Sequence, residues 1–365
     1  MRYQAIPRPP RWMHAGPALV VAVAAIAGVC SAHGSDRPKQ APQPAPEAAR
    51  EQTRPQDYGV DTLRTEHFRL SHDGSSRWAA EAGALLEATR SRFVREMARI
   101  GLDVENPDAP LDWIVFDRRD AYEHYARRAD RVDMSSSRGY YSARTNVVAL
   151  LRDPAPAPGW IMAPAHDDQN PQVHAAADDA TEAAAIHPSC SPHEMARISH
   201  EAIHQLAFNT GVQKRWVVYP LWVSEGMATT FEAYNGEPSG LDRHNAKWAG
   251  RIIRMRQADR LEPLEQVLLR IRPPRQPRAL NDAYASSWAA FSFLASQRPR
   301  QLAAYLATLR EARTGRRPHA RMRRELEQAF GPIDALEPAW RQFIEDLTLR
   351  PSEPAATDPA VGAGA

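Results

Sequence analysis

Two histidines four positions apart, with a glutamate beside the first, constrain this chain more than any other feature: His200-Glu201-Ala202-Ile203-His204. Residues four apart share one face of an α-helix, so both imidazoles can reach one metal ion. Glu201, one position on, points beside that ion, where a carboxylate can take a proton from a water without becoming a ligand. Met195, Ile198, Ala202 and Leu206 form a stripe roughly opposite the histidines, and Ile203 and Phe208 flank them, so the helix is expected to be buried on several sides. Two imidazoles and a carboxylate on a buried helix need a partner, and a metal supplies one.

A second segment strengthens this reading. In Trp222-Val223-Ser224-Glu225-Gly226-Met227-Ala228 a carboxylate 21 positions after His204 opens another helix and can complete a His, His, Glu, water tetrahedron. Glu225, Thr229 and Glu232 fall on one face of that helix by their spacing, while Met227, Phe231 and Tyr234 fall on another and read as core. Gly226 is expected to permit close approach to the first helix.

With both segments in view, the sequence resembles the gluzincin branch of zinc metallopeptidases, in which HExxH is followed by a helix starting with glutamate in a Glu-Gly-x-Ala context. More narrowly, Thr65-Glu66-His67-Phe68, Gly139-Tyr140-Tyr141, the segment 200–232 and Tyr284-Ala285-Ser286-Ser287-Trp288 resemble a secreted bacterial family catalogued only as a domain of unknown function. The larger family implies one zinc ion per chain, peptidase activity on a peptide or protein substrate, and an α+β zincin-like fold. In that fold an N-terminal sheet-plus-helix subdomain packs on a mainly α-helical C-terminal subdomain, with the active-site cleft between them. Carried over residue by residue, the resemblance makes His200, His204 and Glu225 the metal ligands and Glu201 the general base. Tyr284 resembles the tyrosine that donates to a tetrahedral oxyanion, although Tyr284, Trp288, Phe291 and Ala295 also sit at core spacing on one helix. Gly139 to Leu150 resembles the edge strand along which such enzymes lay an extended substrate. Where some relatives carry an acid that orients the first histidine, this chain has Thr229, and Glu232 is the candidate for that task. The Gly-x-Met-Glu-Asn element that resembling aminopeptidases use to hold a substrate amino terminus is absent, which disfavours exopeptidase action.

The rest of the 365-residue chain divides by composition. Arg2, Arg8 and Arg11, an apolar run of about 12 residues from Ala18 to Val29, and Cys-Ser-Ala before His33 have the pattern of a secretory signal over 1–32, too short for the roughly 20 residues of a membrane-spanning helix. Export to the periplasm or medium follows, with a lipoprotein through Cys30 as the weaker alternative. Residues 33–57 read as a linker rich in Pro, Gln and Ala, and 351–365 as a disordered tail. The N-terminal subdomain is placed at 58–210, with strands at 67–70, 111–116 and 139–151, helices at 78–100 and 121–129, and a surface insertion over 152–193. The helical subdomain is placed at 211–350, and helical patterns run one after another from about 193 to 348.

With 46 basic and 44 acidic residues the chain is no nucleic-acid binder by charge, although Arg251 to Arg324 carries a local excess of arginine that reads as solvated helix faces. His166, His174, His187 and His193 match no compact metal motif, and Cys190 has no paired base. Neither a Gly-x-Ser-x-Gly element nor a phosphate-binding glycine loop is present. Two other classes remain open: a non-catalytic cell-envelope binding or scaffold protein on the same fold, and a zinc hydrolase of a non-peptide amide.

Overall fold

Ser75 and Gly101 bracket the first long helix. In the computed structural model, which describes residues 58, 61–153, 189–241 and 245–349, helix α1 spans Ser76–Ile100. The Ser75 side chain accepts from the Trp78 N–H, and Gly101, at φ 93°, takes the left-handed conformation that closes the other end. The buried face is the expected one, with Leu85, Leu86, Thr89, Phe93 and Met97 on it. The signal, linker and tail, Cys30, most of the 152–193 insertion, and His166, His174 and His187 lie outside the described residues.

Five strands form one mixed sheet in the order β1-β2-β3-β5-β4: Asp61–Arg64, Phe68–His72, Leu111–Phe116, Val147–Leu151 and Gly139–Ser142 respectively. The two inner pairings, β2 with β3 and β3 with β5, are parallel, and both outer pairings are antiparallel. Phe68, Leu70, Trp113, Val115, Val148 and Leu150 point to the face covered by α1 and by α3, Pro192–Asn209. The opposite face buries Ile114, Phe116, Tyr140 and Ala149 under α2, Arg119–Tyr125, and the π-helical turn Ala126–Asp130 that continues it.

Two departures from the sequence reading concern strands. β1 gives no apolar alternation because most of it is exposed, and main-chain pairing with β2 alone makes it a strand. The single alternating stretch over 139–151 is a hairpin: Asn146, at φ 64°, helps turn β4 into β5.

The remaining helices follow as α4 Leu221–Thr230, α5 Ala246–Gln257, α6 Leu264–Leu269, α7 Pro277–Gln297, α8 Pro299–Arg310, α9 His319–Phe330 and α10 Ile333–Leu349. α7 lies at the centre of this half and packs on α4, α5, α6 and α8. A Cβ on Gly226 would stand 2.3 Å from the Ser287 carbonyl oxygen. The close approach that Gly226 permits is therefore to α7, not to the HExxH helix as its sequence context suggested. One hydrophobic core runs from Phe68 through α3, α4 and α7 to Leu347, so the sheet half and the helical half share their interior.

The arginine excess of 251–324 is met in part by ion pairs such as Arg251 with Asp282, but Arg317, paired with Glu325, is buried and departs from the expected solvated helix faces. Among the described residues no helix is long and apolar enough to cross a membrane.

Candidate metal centre

The first half of the site is a helix that has no solvent face along most of its length. Ser191 caps α3 by accepting from the Glu194 N–H, Pro192 fits its first turn, and every residue from Glu194 to Ala207 is buried. Ser199 on this helix accepts from the Ala233 N–H at 2.8 Å, tying it to the chain just after α4. α4 in turn presents Glu225 from its middle, held against α7 through Gly226.

These elements bring His200, His204 and Glu225 together, each no more than 1% exposed. The two Nε2 atoms are 3.1 Å apart, His200 Nε2 is 3.3 Å from Glu225 Oε2, and His204 Nε2 is 3.6 Å from Glu225 Oε1. Ligands on bonds of ~2.0–2.1 Å at tetrahedral angles are separated by about 3.3 Å, so the two imidazole nitrogens and the Glu225 carboxylate, which meets them through different oxygens, lie close enough to share one ion. The described residues can therefore hold a metal ion. The other nitrogen of His200 supports the same orientation: Nδ1 lies 3.0 Å from Glu232 Oε1, so a neutral imidazole that donates there turns the Nε2 lone pair toward Glu225 and His204.

Glu232 reaches His200 by a different route from the one its spacing suggested. Helix α4 ends at Thr230, and Glu232 comes back toward α3 from the turn beyond it. Its second oxygen accepts from Trp248 Nε1 at 2.7 Å and from the Tyr234 hydroxyl at 2.7 Å, and Lys247 Nζ donates to Tyr234 at 2.8 Å. Tyr234 is thus part of the polar surroundings of the site and not plain core, and neither Trp248 and Tyr234, which bond Glu232, nor Lys247, which bonds Tyr234, carries a motif by which sequence alone could have found it. Thr229 turns inward along its own helix and bonds the Glu225 and Gly226 carbonyls.

Glu201 is fully buried, and neither carboxylate oxygen has a hydrogen-bond partner of normal geometry. Burial pushes its carboxyl above the usual carboxylate range; His204 and His200 pull it back, and Glu225 pushes it further up. The main-chain amide of Tyr141 pulls with the histidines. That amide is free to do so because Leu151 N–H bonds the Arg138 carbonyl, a register that points the polar groups of Tyr141 away from β5 and off the open edge of β4.

Tyr284 also arrives at the site. Its ring stacks on His200 with centroids 6.5 Å apart and an interplanar angle of 19°, and its hydroxyl hydrogen-bonds Glu225. Burial, with Glu225 beside it, keeps the phenol protonated far above its ordinary range. Cys190 is buried and its thiol is pushed up by desolvation, which removes it as a nucleophile.

Without metal, a proton takes over part of the ion's role. Burial opposes charge on His200, but hydrogen bonds to Glu225 and Glu232 outweigh it and raise its pKa to about 10. Burial likewise opposes the Glu225 carboxylate, and His204 and His200 nevertheless hold it down to about 2. The His200 contribution to stability is therefore complete below pH 6.5 and lost as pH rises to about 10, while that of Glu225 is complete above pH 4.5 and lost toward about 2. With metal removed, the melting-temperature advantage of wild type over His200→Asn is expected to shrink as pH climbs from 6.5 to 10. An advantage constant across that window would contradict the assignment.

The site helix, Glu225, Glu232 and Tyr284 all fall in one stretch that has known counterparts. No curated protein matches the chain. Residues 194–315, from the first turn of α3 to just past α8, are similar to a family described as "Protein of unknown function (DUF1570)".

Proposed function

We propose that the protein is an exported zinc-dependent metallopeptidase of the gluzincin type, with His200, His204 and Glu225 holding one zinc ion. The observation that carries this reading is a buried His, His, Glu triad whose ligand atoms lie close enough to share one ion, beside a carboxylate, Glu201, that has no hydrogen-bond partner. Two histidines and one glutamate form a donor set typical of zinc sites that keep a position open for chemistry. A bound zinc ion supplies Lewis acidity, which acidifies water and polarises a carbonyl oxygen.

The chain's own residues do the rest. Glu201, whose carboxyl burial pushes above the usual carboxylate range, accepts a proton from the attacking water and delivers it to the leaving amine. Tyr284, whose phenol stays protonated, can turn its hydroxyl from Glu225 to the oxygen on which negative charge develops. Glu232 fixes the tautomer and ring orientation of His200. The open edge of β4 offers main-chain groups of Tyr141 to an extended peptide, which supports a substrate cleft between that edge and the helical half. Because the triad is buried, substrate admission requires these two faces to part.

Elemental mass spectrometry of the protein starting near His33, beside Glu225→Ala, tests the reading. Wild type is expected to carry about one zinc per chain, and the variant to lose most of it. Absence of zinc from both, after it has been supplied, would refute the metal centre.

A further inference from the structure

We propose that a second depression, at the C-terminal end of α3, binds a carboxylate group of a peptide. It has a volume of about 390 Å³ and is lined by Phe208 of α3, by Gln213, Lys214 and Arg215 of the turn that follows, and by Arg310 and Glu311 where α8 ends. None of these is a metal ligand.

The unmet hydrogen bonds point to a ligand. Gln213 is 2% exposed, yet its Nε2 and Oε1 are both buried without a partner. Arg215 spends Nη2 on Asn146 and Asn209, at 2.7 and 2.8 Å, and leaves its Nε buried without a partner. Two donors and one acceptor are thus unsatisfied around one depression, an arrangement that costs stability unless something completes it. A carboxylate accepts from Gln213 Nε2 and Arg215 Nε, and a neighbouring peptide N–H donates to Gln213 Oε1.

The charges select the same ligand. Lys214, Arg215 and Arg310 face Glu311 and also Glu105, which lies 3.4 Å from Arg310. Three cations against two acids leave one positive charge in excess, suited to a single carboxylate and too few for a polyanion.

Its place ties the depression to the candidate metal centre. Phe208 is one helical turn past His204 and stacks on Tyr141 of β4, with centroids 5.6 Å apart. Tyr141 also donates from its hydroxyl to Asn146, the residue that Arg215 holds. A peptide lying along the edge of β4 would therefore reach this depression at the hairpin end. The inference rests on the peptidase reading only for the source of the ligand, and its test needs no turnover.

The test titrates full-length zinc-loaded Glu201→Gln protein, so that no peptide is consumed, with three blocked tripeptides by calorimetry. Ac-Ala-Glu-Ala-amide offers a side-chain carboxylate, Ac-Ala-Ala-Ala offers a terminal one, and Ac-Ala-Gln-Ala-amide offers none. At least one carboxylate peptide is expected to bind about tenfold or more tightly than the glutamine control, and which one does so identifies the source. Lys214→Met and Arg310→Met, both changes near the surface, are each expected to weaken that binding several-fold, and Gln213→Leu to weaken it about tenfold. Equal binding of all three peptides would overturn the proposal. So would carboxylate binding that ignores Lys214→Met and Arg310→Met, since that would place the carboxylate on the metal. Loss of the peptidase reading through a wild type that hydrolyses no peptide would leave these ratios unchanged.

Discussion

Glu201→Gln is expected to retain about one zinc ion per chain while losing peptide hydrolysis by about a thousandfold, within the range of general-base contributions. The two outcomes separate because Glu201 contacts no ligand atom by hydrogen bond and supports no other part of the fold. Its buried carboxylate is uncompensated, so the amide is expected to leave the melting temperature equal or higher, an effect opposite to that of most core substitutions. Hydrolysis of a peptide library by wild type and variant, with metal content measured on the same samples, checks both halves. A variant as active as wild type would end the proposed mechanism, and a variant empty of zinc would make Glu201 structural.

The second large effect is expected far from the chemistry. Gly226→Ala places a methyl group 2.3 Å from the Ser287 carbonyl oxygen and 3.1 Å from Phe291 Cβ. Neither contact is with the mobile end of a side chain, so α4 and α7 must separate, and overpacking of this kind costs about 1–3 kcal/mol. Glu225 precedes Gly226 on α4, and the same displacement moves its carboxylate relative to the two histidines. Denaturant unfolding should show the loss of stability, and competition with a chromophoric chelator should show zinc affinity about tenfold lower. Unchanged values in both measurements would mean that the helices accommodate the methyl group and that their approach does not position Glu225.

The parts of this architecture that a sequence can reveal are those written in local spacing. His200, Glu201 and His204 announce a helix, and the long apolar period of 78–100 announces another, bounded by the residues that cap it. Glu225 was legible from its Glu-Gly-x-Ala context and its distance from His204, although it sits in the middle of α4 and does not open it. The exposed β1 was not, since its partner β2 supplies the hydrogen bonds and its side chains carry almost no burial. Glu232 was legible as a residue near His200 and misread as to its element, because a period continued past Thr230 looks the same whether or not the helix does. Gly226 likewise signalled a close approach without saying to what, and its neighbour in α7 is some 60 positions away in the chain, beyond any local pattern. Trp248, Tyr234 and Lys247 converge on Glu232 only through tertiary packing.

The burial of the triad would also govern how an ion held there comes and goes. With His200, His204 and Glu225 at 0–1% exposure, no ligand exchange can begin from the outside while the surrounding helices stay packed. Departure of the metal then waits on a transient separation of α3 from α4, an event set by the protein and not by whatever competes for the ion. The rate of zinc loss should therefore be independent of chelator concentration once chelator is in excess, and should rise when mild denaturant loosens the core. The same barrier works in reverse: the ion is most readily acquired while the chain is still folding, and a molecule that closes over the wrong metal would keep it.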